Sequence, residues 1–85
     1  RDARAEAAMA AEESCALAEA IGELRGVGYA RWFLGALAER RGDGHEAMHQ
    51  YAASLDAYAE LGDVPERVVA SLAALERAYA PPPPP

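Results

Sequence analysis

Displaced by forty residues, the chain falls on itself. Ile21-Gly22-Glu23 lands on Leu61-Gly62-Asp63, and Ala7 meets Ala47, Ser14 meets Ser54, Cys15 meets Leu55, Ala30 meets Ala70 and Ala38 meets Ala78. Size and polarity agree at each pair. Self-similarity at such a period marks stacked supersecondary units, and forty residues is the length of a helical hairpin with its turns. This constrains the fold more than any single motif, because each unit buries its apolar face only against the next.

The local signals agree with helices throughout. An alanine-rich run with Met9, Leu17 and Ile21 predicts a first helix over about 3–21, stopped at Gly22 by glycine's tolerance of positive φ. Gly26 and Gly28 read as loop glycines, so a second helix is expected over about 27–41, its apolar positions recurring at three and four and its last turn carrying Arg40 and Arg41. Asp43 with Glu46 three residues on starts a third helix over about 44–61, and Asp63 with Glu66 repeats the device for a fourth over about 64–80. Pro81 ends that helix, and Pro81 to Pro85 predict an extended polyproline tail. Nothing favours strands: isoleucine occurs once and no apolar-polar alternation lasts a strand's length. The expected fold is all-α, four helices paired as stacked hairpins over 1–80.

Composition limits the function classes. Eighty-five residues make one small domain, half apolar but mostly through alanine, which gives a thin core in need of a neighbour. A net charge of -6, with arginines scattered among acids, argues against nucleic acid as a partner of this segment. No apolar run reaches the ~18 residues of a membrane span. The lone Cys15 has no internal disulfide partner, and the first residues lack the order of a signal peptide, so a cytoplasmic setting is expected. Lysine, asparagine and threonine are absent, a bias that fits a GC-rich bacterial genome.

Leu34-Gly35, Ala38, Gly42, Ala47, Tyr51, Ser54 and Leu55 fall at the spacing of the tetratricopeptide motif, which this chain resembles over roughly residues 3–80. The run from Ile21-Gly22-Glu23 through Leu34-Gly35 to Arg41-Gly42-Asp43 is similar to the longer-period tetratricopeptide repeats of large bacterial transcription regulators and related signalling proteins. The departures are Arg31 where the motif prefers a large apolar residue, Ala38 in place of its tyrosine, and Ala74-Leu75 in place of the second Leu-Gly. The resemblance implies a non-catalytic interaction or oligomerisation module without cofactor, whose partner is a protein or peptide segment, a neighbouring repeat or a second copy. It also implies that Tyr29, Trp32, Ala36 and Glu39 line a concave partner-binding face, with Val69, Leu72, Glu76 and Tyr79 as the equivalent stripe forty residues on.

One segment points elsewhere. His45-Glu46-Ala47-Met48-His49 satisfies the H-E-x-x-H pattern, in which two histidines one turn apart chelate zinc and the glutamate activates the bound water of a hydrolase. The third ligand is missing: there is no other histidine, only carboxylates such as Glu60 or Glu66. The repeat register accounts for the same residues without metal, with Glu46 as the capping acid, Ala47 as the close-packing alanine and Met48 as filler. Cys15, aligned with Leu55, reads as a small buried hydrophobe.

Overall fold

A computed structural model describes residues 2–80 and Pro84. Four helices follow one another: α1 (Ala3–Ile21), α2 (Leu24–Arg40), α3 (Gly44–Leu61) and α4 (Glu66–Ala78), with no strand among the described residues. Their turns are too short for anything but antiparallel neighbours, and each helix packs on the one after it. The result is a slab of about 50 × 38 × 17 Å.

The turns repeat. Gly22 and Gly62 sit at φ 71 and φ 75, and each donates its N–H back into the last turn of the helix it closes. α1 starts at Asp2, whose carboxylate accepts from the Arg4 N–H at 2.9 Å. α3 starts at Asp43, which accepts from the Glu46 N–H at 3.1 Å. These bonds satisfy donors that a helix N-terminus leaves open.

The other two boundaries correct the sequence expectation. α2 begins three residues early, at Leu24, because Glu23 caps it by accepting from the Gly26 N–H at 2.7 Å. Gly26 and Gly28 are therefore helical and not loop residues. Gly28 is needed there for packing, since a Cβ would stand 2.6 Å from the Tyr58 ring. α4 begins two residues late. Pro65 biases Val64 away from helix, so Pro65 is the N-cap, and the Asp63 carboxylate pairs with Arg25 at 3.3 Å instead of capping. α4 also ends at Ala78 rather than Ala80, since Pro81 sets the same bias on the residue before it. The polyproline expectation for 81–85 lies, apart from Pro84, outside the described residues.

Two clusters divide the core along the slab. Cys15 and Ala18 of α1, Val27 and Ala30 of α2, and Ala57 of α3 form the first. Ala38, Ala47, Tyr51 and Leu75, flanked by Trp32, Met48 and Leu72, form the second and bring in α4. Small residues dominate the first, whereas in the second Ala38 and Ala47 sit among larger side chains. The large apolar residues of α1 go the other way: Met9, Leu17 and Ile21 are exposed, and its buried row is Ala11, Cys15 and Ala18.

Candidate protein-interaction site

The forty-residue displacement holds for α1 and α3 but not for α2 and α4. Ala11 and Ala18 bury the positions that Tyr51 and Tyr58 bury in α3. In α2 the buried Val27 and Leu34 match the buried Val68 and Leu75 of α4 in residue type at a displacement of forty-one, whereas at forty the buried glycines Gly28 and Gly35 fall on those positions. The extra residue lies in the Asp63-Val64-Pro65 turn. The stripe equivalent to Tyr29, Trp32, Ala36 and Glu39 is thus Ala70, Ala73, Arg77 and Ala80, one position beyond the expected Val69, Leu72, Glu76 and Tyr79.

The eight expected residues accordingly have different surroundings. Tyr29 and Trp32 stand together, ring centroids 6.2 Å apart, and the Arg67 guanidinium lies 5.2 Å from the Trp32 ring and 6.0 Å from Tyr29. The Trp32 indole N–H points to Ser71 Oγ at 3.4 Å. Trp32 therefore joins α2 to α4, leaving Tyr29 as the open aromatic. Ala36 is half-buried beside Glu39. The Glu39 carboxylate accepts the Tyr51 hydroxyl at 2.7 Å, and Tyr51 is almost wholly buried. Burial first, then that hydrogen bond, raises the Tyr51 phenol above its ordinary range. Leu72 packs against the second cluster, Val69 and Glu76 are exposed, and Tyr79 leans on His45 with its hydroxyl against the Gly44 backbone.

His45 and His49 are exposed on the first turns of α3. The Glu46 side chain, which would activate a metal-bound water, accepts from Gln50 Nε2 at 2.7 Å. No group of three or more His, Cys, Asp or Glu side chains is placed to hold a metal ion among the described residues.

What the sequence reading missed is a groove between α1 and α2. Ala7, Ala10, Ala11 and Ser14 form one wall, Gly26, Tyr29, Ala30 and Phe33 the other, enclosing about 460 Å³. Its lining is mostly apolar, with the Tyr29 and Ser14 hydroxyls as side-chain polar groups. The signal was present as a row of small residues at spacings of three and four in α1. A second recess is polar: Glu12, Glu19, Arg31, Glu46 and Gln50 surround the mouth over Cys15, and Arg31 bonds Gln50 at 3.2 Å and Glu19 at 3.4 Å. Burial pushes the Cys15 thiol up, with nearby Arg31 opposing.

No protein-family model matches the chain, and no curated protein or solved structure matches it either.

Proposed function

We propose that this chain is a non-catalytic protein-interaction module of tetratricopeptide-like repeats, belonging to a bacterial regulatory or signalling protein, and that it holds an α-helical segment in the groove between α1 and α2. The groove carries the reading. Its α1 wall of Ala7, Ala11 and Ser14 corresponds, forty residues on, to Ala47, Tyr51 and Ser54, the face of α3 on which α2 lies. Its α2 wall includes Gly26 and Ala30, which correspond, forty-one residues on, to Arg67 and Ser71, the contacts of α4 with Trp32. A helix is what both surfaces receive inside the chain.

The forty-one-residue register also supports the repeat type. It sets Leu72 at the place of Arg31, Leu75 at that of Leu34 and Tyr79 at that of Ala38, so the large apolar residue and the tyrosine missing from α2 stand in α4. Tyr29 is the lip shared by the groove and the concave face. A net charge of -6, with Glu12 and Glu13 on α1, favours a helix that is apolar on one side and basic on the other.

Fluorescence anisotropy with a labelled helical peptide, leucines on one face and lysines on the other, tests this. Saturable binding is expected, together with its loss in Ala10→Trp, which fills the groove from an exposed position on α1. Equal binding by both proteins would refute the assignment.

A further inference from the structure

Where α2 and α4 begin, one arginine is held by aromatic rings and not by a carboxylate. The Arg67 guanidinium lies over Trp32 at 5.2 Å and Tyr29 at 6.0 Å, and its side chain forms no ion pair or hydrogen bond among the described residues. Arg25, Arg31 and Arg41, by contrast, each meet an acid. A cation–π contact uses the charge of the guanidinium and leaves its N–H donors, whose planar fork matches a carboxylate, for a ligand. We infer that Arg67 receives the carboxylate of a glutamate or aspartate in an acidic, apolar segment of a partner protein.

The surroundings supply the rest of such a site. Beside Arg67 a recess encloses about 400 Å³, with the nearly buried Tyr58, the half-buried Pro65 and the open Tyr29 as its apolar lining and Arg25 as its second cation. The carboxylates nearby are engaged. Glu23 accepts from the Gly26 N–H at 2.7 Å, and Asp63 holds Arg25 at 3.3 Å. The recess is complete within the chain: α1 contributes nothing to its lining, and α4 contributes only Arg67 of its first turn. It is thus a different place from the groove between α1 and α2, and the inference does not rest on that reading.

Charge selects the ligand. Arg67 matches one negative charge, whereas the second charge of a phosphate would stand beside Glu23 and Asp63 with no cation left to meet it. A glutamate or aspartate fits, with the side chain next to it laid on Tyr29 and Pro65. The net charge of -6 opposes an acidic segment at a distance, but salt screens that repulsion beyond ~8 Å and leaves the contact itself. Trp32, the one tryptophan of the chain, lies under the Arg67 charge and so reports on what binds there.

Fluorescence anisotropy of a labelled six-residue peptide alternating glutamate and leucine, read together with Trp32 emission from the unlabelled peptide, tests the site. Saturable binding that shifts the Trp32 emission is expected. Replacing the glutamates of the peptide by glutamine should weaken it about tenfold or more, as should Arg67→Gln, since a hydrogen bond to a charged group accounts for a factor of that size. Arg67 is exposed, and circular dichroism checks that its variant stays helical. Asp63→Ala frees Arg25 and should tighten binding. No binding by the wild type overturns the inference, as does equal binding by Arg67→Gln. Tighter binding of a phosphoserine-leucine peptide would assign the recess to phosphate and overturn the carboxylate. Ala10→Trp, which closes the groove, should leave the acidic peptide bound; loss in that variant would place the peptide in the groove and overturn the separate site, while failure of the lysine-leucine helix alone removes only the groove reading.

Discussion

The ring of Tyr51 packs against the bare backbone of Gly35: a Cβ built on that glycine would stand 2.5 Å from two ring carbons. This contact sets how closely α2 and α3 approach, and it ties a glycine inside a helix to a tyrosine in the next one. Glycine costs a helix interior up to ~1 kcal/mol relative to alanine, so an exposed Gly35→Ala would stabilise. Here the methyl group must displace a buried aromatic ring, at about 1–3 kcal/mol. Gly35→Ala should therefore lower stability by about 1 kcal/mol net, read as a lower melting temperature in circular dichroism. A higher melting temperature would show that the ring moves freely.

Tyr51 also gives the protein an alkaline limit. Its phenol has an ordinary value of 10.0, and burial together with the bond to Glu39 holds it higher in the folded chain. The unfolded chain loses this proton near pH 10 and the folded chain does not. The stabilisation is thus complete below pH 10 and declines as pH rises above it, by about 1.4 kcal/mol per pH unit for one such group. Tyr51→Phe should cost about 1 kcal/mol at neutral pH through the lost hydrogen bond and flatten the decline above pH 10. Denaturant melts of both proteins at pH 8 and above 10 measure the difference. Parallel declines would assign the alkaline loss to other groups.

Two aspartates that look alike in the sequence should behave differently. Asp43 caps α3 through the Glu46 N–H, whereas Asp63 caps nothing and holds Arg25 in an exposed ion pair. Asp43→Ala should cost about 1 kcal/mol, and Asp63→Ala less than ~0.5 kcal/mol, with what effect there is screened by salt. Chemical denaturation of the two variants at low and high salt decides it. Equal losses would restore Asp63 as a cap.

That contrast shows what the sequence made legible. Helix number, helix type and the stops at Gly22, Gly42 and Gly62 follow from local rules that act within a turn or two. Asp43 obeyed such a rule. Asp63 did not, because Pro65 two residues later imposed a stronger backbone restriction. Gly26 and Gly28 are helical against glycine's poor helix propensity because the Glu23 cap takes the Gly26 N–H and the Tyr58 ring packs on Gly28. The α4 stripe equivalent to Tyr29, Trp32, Ala36 and Glu39 moves by one position for a related reason: one added residue in a turn rotates every side chain of the following helix by about 100°. Leu17 and Ile21 carry the same lesson. Both are exposed, while Ala11, Cys15 and Ala18 beside them form the buried row of the helix that packs on α2.

The H-E-x-x-H segment offers the last test. His45 and His49 stand one turn apart, so a bivalent contact to a zinc ion is open to them, but His45 lies 5.9 Å from the Tyr79 ring and Glu46 is engaged by Gln50. A catalytic zinc takes three protein ligands and a water held for attack by the glutamate. Two exposed imidazoles on a capped helix supply neither the third ligand nor the oriented base. Zinc added to the purified chain should therefore be removed by dialysis, and a chelator should leave the melting temperature unchanged, since a metal held tightly by the folded state alone would raise it. Metal analysis by mass spectrometry after dialysis, alongside His45→Ala and His49→Ala, reads the outcome. One zinc retained per chain and lost in either variant would make the first turns of α3 a metal site and overturn the non-catalytic reading's account of Glu46.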